Sequence, residues 1–286
     1  MLISAKDIIV QSLALYKGHF MTFLKFNLLS LVPYLLYIPM GLVGAVVAAG
    51  FFSGNIAMSL LIGGGIVLFL LFIAVIYLGI WFNLAFLRAV ASVVDSGTSH
   101  PVGQTVKESQ PLILRSLWTS VVAGFYTAWP LLVALIGWPV MSLLAKTVHF
   151  PPVAVQIINV LFVLLGLYGI FHAIVYSVKL MFAYYNTAID NHRTKDALQK
   201  SKDMVKNRWW GMLWRSLAPA FAFGVPLVIV IMILGVTDNA VTSILSMVIQ
   251  FLAMPLFFIN ILLLFMSAKK TLEPATMAPP TQNASM

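Results

Sequence analysis

The chain contains no cysteine, which excludes disulfides, thiolate catalysis and Cys-ligated zinc. It is also poor in charge. Only 9% of its 286 residues are Asp, Glu, Lys or Arg, where a soluble domain carries about 25%. Acids are the scarcer sign, eight in all, and Asp238 alone lies away from the basic segments. General acid–base work by paired carboxylates therefore has little to draw on. The five histidines (His19, His100, His149, His172 and His192) show no H-x-x-x-H or similar metal-ligand spacing. Gly63–Gly65 has neither a following Lys nor a preceding strand, so it is read as a close helix-packing point and not as a phosphate loop. The N-terminal stretch MLISAKDIIVQSLALYKGHF is amphipathic and has no small-residue cleavage site, unlike a signal peptide.

What the chain has is apolar length. Hydrophobic residues make up 61% of it, and the mean hydropathy is +1.00. Six runs match or exceed the roughly 20 apolar residues that cross a bilayer: about Phe23–Ala49, Ala57–Val90, Leu117–Leu144, Val153–Ala183, Leu217–Val236 and Ala240–Met266. Pro33, Pro39, Pro130, Pro139, Pro219 and Pro226 fall within them, and kinks are expected there. Against the eight acids stand 17 Lys and Arg, a balance that suits an anionic lipid surface better than nucleic acid. Fifteen of them lie in the N-terminal segment, the 88–115 and 190–215 loops and the C-terminal tail. The positive-inside rule then predicts a multi-pass protein of the cell (inner or plasma) membrane with both termini cytoplasmic.

The longest polar interval, Asp190 to Leu217, holds seven of the 17 basic residues. At helical period Leu198, Ser201, Val205 and Trp209 share one face, and Lys195, Lys202 and Lys206 another. Thr194 reads as the N-cap. The helix is expected to run on into Trp209, Trp210 and Trp214 and then into a span, as an interfacial helix does. The candidate lipid-binding residues are Lys195, Lys202, Lys206, Arg208, Trp209, Trp210, Trp214 and Arg215. The tail, residues 271–286, is Pro/Thr/Ala-rich and reads as disordered.

The chain also reads as internally repetitive. Lys6-Asp7, Ser12, Lys17 and Phe20 match Lys195-Asp196, Ser201, Lys206 and Trp209 at one constant offset. A looser third copy starts at Thr105, whose spacing to Glu108 resembles the Ser4–Asp7 capping box. The expected fold is all-α: one six-span membrane domain over residues 1–270, in pseudo-repeats of about 4–90, 102–185 and 192–268. Each repeat would be a two-span hairpin preceded by a cytoplasmic amphipathic interfacial helix.

Ala197, Leu198, Ser201, Val205, Lys206, Arg208, Trp209 and Trp210 fit a pattern A-L-x-x-S-x-x-x-V-(K/R)-x-R-(W/F)-W. In this the chain resembles multi-spanning prokaryotic membrane proteins of the YciC type and the membrane domain attached to some glycerophosphodiester phosphodiesterases. The resemblance implies a six-span fold. It implies no enzyme activity, because the soluble barrel and its metal-binding carboxylates have no counterpart here.

The expected function is that of a non-enzymatic integral membrane protein, without cofactor or metal, engaging anionic inner-leaflet phospholipid or a protein partner in envelope or lipid homeostasis. The alternative is a small-solute or lipid transporter with a polar path near Asn83, His172 and Lys179. An ionisable group inside a span marks function by default, although Lys179 is close enough to Asp190 to snorkel to the headgroups. Asn159, Gln156, Gln250 and Asn260 are expected to serve as interhelical hydrogen-bond partners.

Overall fold

The computed structural model describes residues 2–53, 57–98, 100–148, 150–236 and 239–272, with the Lys146 side chain left aside. Among them all regular structure is helical and no strand occurs. The helices are α1 (Ala5–Gly18), α2 (Phe20–Leu29), α3 (Val32–Leu35), α4 (Tyr37–Phe52), α5 (Met58–Ser96), α6 (Val102–Ser109), α7 (Ile113–Val148), α8 (Pro152–Leu180), α9 (Ala183–Ala188), α10 (Thr194–Val205), α11 (Trp209–Gly235) and α12 (Ala240–Lys270). A single 3₁₀ turn, Gln110–Leu112, joins α6 to α7. The tail beyond Leu272 lies outside the described residues.

Among the described residues six stretches are long and apolar enough to cross a bilayer: Phe20–Phe52, Met58–Ser96, Val102–Ala145, Pro152–Ala188, Trp209–Gly235 and Ala240–Lys270. All six runs read from hydropathy are therefore present, and they make this a multi-pass membrane protein. The most apolar windows of the first two contain no buried residue. Apolar surface turned outward on that scale is stable only where hydrocarbon is the solvent. With 39 residues, α5 is about 58 Å long at 1.5 Å per residue. That is nearly twice the roughly 30 Å of a hydrocarbon core. Its buried residues all lie between Phe82 and Val93, toward its C-terminal end, and the rest is left partly exposed.

The chain divides into two compact units. Met1–Leu114 with Trp214–Met286 form the first, and Arg115–Leu213 the second.

In the first unit α5 packs on α2, α3 and α4, and α12 packs on α1, α2 and α5. Phe23, Phe26, Leu84, Leu87, Leu262 and Phe265 are fully buried there. Phe86 stands edge-on to both Phe23 and Phe258, with ring centroids 6.3 and 5.3 Å apart. The first span is broken, not merely kinked: α2, α3 and α4 are separated at Ser30–Leu31 and at Leu36, around Pro33. Proline acts again in α12. Pro255 has no N–H, so the carbonyl four residues earlier, Phe251 O, loses its helical donor. Asn27 Nδ2 replaces it at 2.5 Å, and Tyr16 Oη donates to the next carbonyl, Leu252 O, at 2.7 Å. Burial raises the Tyr16 phenol above its ordinary pKa. Of the three consecutive glycines, Gly64 alone is close-packed: a Cβ there would strike Val47, whereas Gly63 and Gly65 face open space.

In the second unit α10 lies on α9 and on the end of α8, around Leu180, Ala183 and Leu198. The fourth span breaks at Met181–Phe182, between α8 and α9. At Gly169 a Cβ would meet the Leu131 backbone N at 3.0 Å, so the absent side chain is what lets α8 approach α7 so closely.

Two local expectations need correcting. Thr194 is not the N-cap of α10. Arg193 occupies that place without a side-chain bond, and the Thr194 hydroxyl lies 3.0 Å from that of Thr119. Nor does Thr105 cap a helix. Pro101 is the N-cap and α6 begins at Val102, one turn before a Thr105 cap would have started it. Thr105 is then internal and buried, donating to Pro101 O at 3.2 Å. Ser4 does cap α1, accepting from Asp7 N at 3.1 Å.

Candidate functional site

Helix α10 ends sooner than its charge pattern suggests, and the ending builds the site. Its periodicity would carry on through Trp209, but the helix stops at Val205. Lys206 turns extended, and Asn207 takes the left-handed conformation at φ 62°, which Asn tolerates better than most residues. Arg208 Nε folds back onto Met204 O at 2.8 Å and satisfies a carbonyl left over at the helix end. Partial burial lowers the Arg208 pKa, though from so high a starting value that the guanidinium stays charged. α11 then begins anew at Trp209, whose Nε1 donates to Val175 O in α8 at 3.2 Å.

Anchoring of α10 is equally local. Ser201 is fully buried and sits where α8 gives way to α9. Its hydroxyl donates to Lys179 O at 2.8 Å and accepts from Phe182 N at 3.1 Å. The break in the fourth span thus leaves a carbonyl and an N–H that one serine satisfies. Arg115 Nη1 bonds Asn191 through its carbonyl at 3.0 Å and through its side chain, fixing the turn before α10.

Between the end of α8 and the α10–α11 corner these contacts leave a cleft of about 660 Å³. Lys179, Lys202 and Lys206 line it, with Asp203, Gln199 and Asn207 between them. Phe171, Val175 and Tyr176 of α8 form an apolar wall, and Trp209 and Trp210 complete it. The two indoles stand edge to face at 4.6 Å. Lys179 Nζ lies 5.0 Å from the Tyr176 ring and Lys202 Nζ 5.5 Å from that of Tyr126, both within cation–π range. Gln199 Nε2 donates to Asp203 Oδ1 at 3.1 Å.

Four of the eight lipid-binding candidates, Lys202, Lys206, Trp209 and Trp210, therefore meet at one cleft. Lys195 is exposed on α10 but outside that lining, and Arg208 turns back to its own helix. Trp214 and Arg215 belong to the first unit. There Trp214 is exposed, and Arg215 Nε donates to Ile3 O at 2.7 Å.

The polar-path candidates separate too. Lys179 joins the cleft. His172 stacks on Tyr176 at 4.2 Å, with Trp129 edge-on at 5.9 Å and Thr127 O 3.4 Å from Nδ1. It supports the wall from behind. Asn83 belongs to the first unit, where it lines a mostly apolar cleft of about 690 Å³ with Tyr34 and Gln250. Asn260 faces Ser12, its Oδ1 2.6 Å from the serine hydroxyl. Asn159 Oδ1 accepts from Trp138 Nε1 at 3.1 Å.

Sequence reasoning missed Phe171, Val175, Tyr176, Gln199, Asp203 and Asn207 as lining residues. Asn207 alone carried a local signal, as a helix-stopping residue after Lys206. The others follow from tertiary packing.

A multi-pass membrane protein with a lysine-lined cleft at the end of a span is the class these features define. Comparison with protein-family models, with curated proteins and with solved structures finds no match to this chain.

Proposed function

We propose that this chain is a non-enzymatic integral membrane protein that engages anionic phospholipid through the α10–α11 corner and serves envelope or lipid homeostasis. The observation that carries this reading is the meeting of Lys179, Lys202 and Lys206 with Trp209 and Trp210 around one cleft. Lysines supply mobile ammonium donors for phosphate oxygens. Indoles prefer headgroup depth, where one edge is wet and the other apolar.

The topology goes with it: three hairpins in the cell membrane, each preceded by an amphipathic helix along the inner leaflet, and both termini cytoplasmic. The density of Lys and Arg at the α6 and α10 loops supports that orientation. A YciC-type relationship, resting on the Ala197–Trp210 pattern, agrees with this assignment.

The test is native mass spectrometry of the detergent-extracted protein with lipid identification. Anionic phospholipid should remain bound to the wild type and be lost from Lys202→Glu/Lys206→Glu. Unchanged lipid in the double variant would remove the proposal.

Transport is the second reading. It draws on Asn83 lining a cavity beside the broken first span, since transporters place substrates at interrupted helices. Reconstituted Asn83→Leu protein should then lose flux while its unfolding temperature stays unchanged. Identical flux would remove the reading.

A further inference from the structure

The cleft is chemically two-ended, and its charged lining distinguishes it from an otherwise similar place. Three lysines and one aspartate leave it a formal charge of +2 at one end. At the other, Phe171 and Val175 form an apolar wall along a membrane-crossing helix. An exposed Phe171, 67% accessible, shows that the wall opens outward.

The corresponding place after α6 lacks this character. A smaller cleft of about 390 Å³ is lined there by Gln110, Pro111, Ile113 and Leu114. These stand one, two, four and five residues after buried Ser109, as Lys202, Asp203, Val205 and Lys206 stand after buried Ser201. The same scaffold position therefore carries two lysines in one place and Gln and Leu in the other. Charge at α10 is a property of the lining and not a requirement of the fold.

Resting on the lipid reading above, we infer that the cleft holds one membrane lipid with a phosphomonoester headgroup. The dianionic phosphate lies among Lys179, Lys202 and Lys206, and an acyl or prenyl chain lies along Phe171 and Val175. Charge complementarity selects the class. A phosphomonoester carries about −1.5 to −2 on a single phosphate at neutral pH, which matches the +2 of the lining, whereas a single diester carries −1, cardiolipin spreads its charge over two separate phosphates and a zwitterionic headgroup has no net charge. Three ammonium groups also match three terminal phosphate oxygens in donor supply. Asp203, held by Gln199 at 3.1 Å, sets the balance at +2 in place of +3 and weighs against headgroups that add further phosphates. The apolar wall makes a lipid the occupant and not free phosphate.

The experiment uses the full chain in phosphatidylcholine nanodiscs doped with phosphatidic acid, phosphatidylglycerol, cardiolipin or phosphatidylethanolamine, followed by native release and counting of bound lipid. One phosphatidic acid per chain should be retained, about tenfold over the others, the effect of one additional charge-assisted contact. Lys179→Gln should erase that preference. Val175→Trp, which fills the apolar wall without altering charge, should also displace the lipid. Glycerol 3-phosphate, the headgroup without chains, should not compete at equal concentration.

Equal retention of phosphatidylglycerol and phosphatidic acid, or full retention in both variants, overturns the inference. Competition by glycerol 3-phosphate overturns it in favour of a soluble phosphate. Each variant is compared at matched unfolding temperature, and a variant that fails to fold is replaced by Lys179→Met or Val175→Phe. Because the broader proposal is read from Lys202→Glu/Lys206→Glu alone, anionic enrichment can survive there or fail independently of the phosphatidic acid preference.

Discussion

Helices α6 and α10 are built alike and used differently. Each is short, and each carries a fully buried serine at its eighth residue, Ser109 and Ser201. An indole N–H lies beside each: Trp81 Nε1 donates to Val106 O of α6 itself at 2.7 Å, whereas Trp209 Nε1, just past α10, ties the start of α11 to Val175 O of α8 at 3.2 Å. α1 shares the first feature, with Ser12 fully buried at its eighth residue. The difference lies in what each serine meets. Ser109 donates at 2.7 Å to Thr105 O, one turn back in its own helix, against the unbroken helix α5. Ser201 reaches 22 residues back to Lys179 O, because α8 stops there. The interruption frees backbone groups for the serine and carries Lys179 to the cleft. Two similar scaffolds thus separate what holds a short helix in place from what gives it a binding surface.

The sharpest way to break this comparison is charge reversal. Lys202→Glu/Lys206→Glu should weaken anionic lipid retention by about a hundredfold, roughly a tenfold loss for each charged contact removed. Gln110→Glu/Leu114→Glu should leave it unchanged, as native mass spectrometry of the two proteins side by side would reveal. Equal loss in both would mean that added negative charge weakens retention wherever it falls.

Next in size is the serine pair. Ser201→Ala removes two hydrogen bonds at once, to Lys179 O and from Phe182 N, at a cost of about 1–3 kcal/mol. Ser109→Ala removes only a second bond to a helical carbonyl, worth about 0.5–1 kcal/mol. Thermal unfolding in detergent should rank them in that order, and the opposite order would contradict the bridging role of Ser201. A smaller effect is expected from grafting. Gln110→Lys with Leu114→Lys should raise anionic lipid retention only a few-fold, since no Lys179 counterpart completes the trio and exposed charges are screened. Lys195→Gln, on exposed α10 surface away from the cleft, should change retention and stability within error.

Much of the fold could be read in advance because hydrocarbon imposes a simple rule: every backbone group must be satisfied within its own segment, so length and hydropathy reveal the spans. The Ser4 cap was legible for the same local reason, a side-chain oxygen three residues before its donor. The errors came where two local signals competed. At α6, Thr105 with Glu108 looked like a cap, but Pro101 opens the helix first. At α10, the lysine period extends to Lys206 and the apolar one to Trp209, yet Asn207 ends the helix between them. The break at Met181–Phe182 has no proline or glycine to announce it. Pro255 was in plain view, but that Asn27 answers it could not be inferred, since the pair is 224 residues apart. For the site, Lys202, Lys206, Trp209, Trp210 and Lys179 were each singled out, the last for a different reason. Their meeting depends on the break in the fourth span, which composition does not encode.

The most direct measurement is photo-crosslinking of the purified, lipid-reconstituted protein with a phospholipid carrying a diazirine on its acyl chain, followed by peptide mapping. The account predicts label concentrated between Phe171 and Lys179 and at Trp209–Trp210, with little at residues 110–114, and its loss from Lys202→Glu/Lys206→Glu protein. Label spread evenly over the outward faces of the six spans, or equal at the α6 and α10 corners, would contradict it.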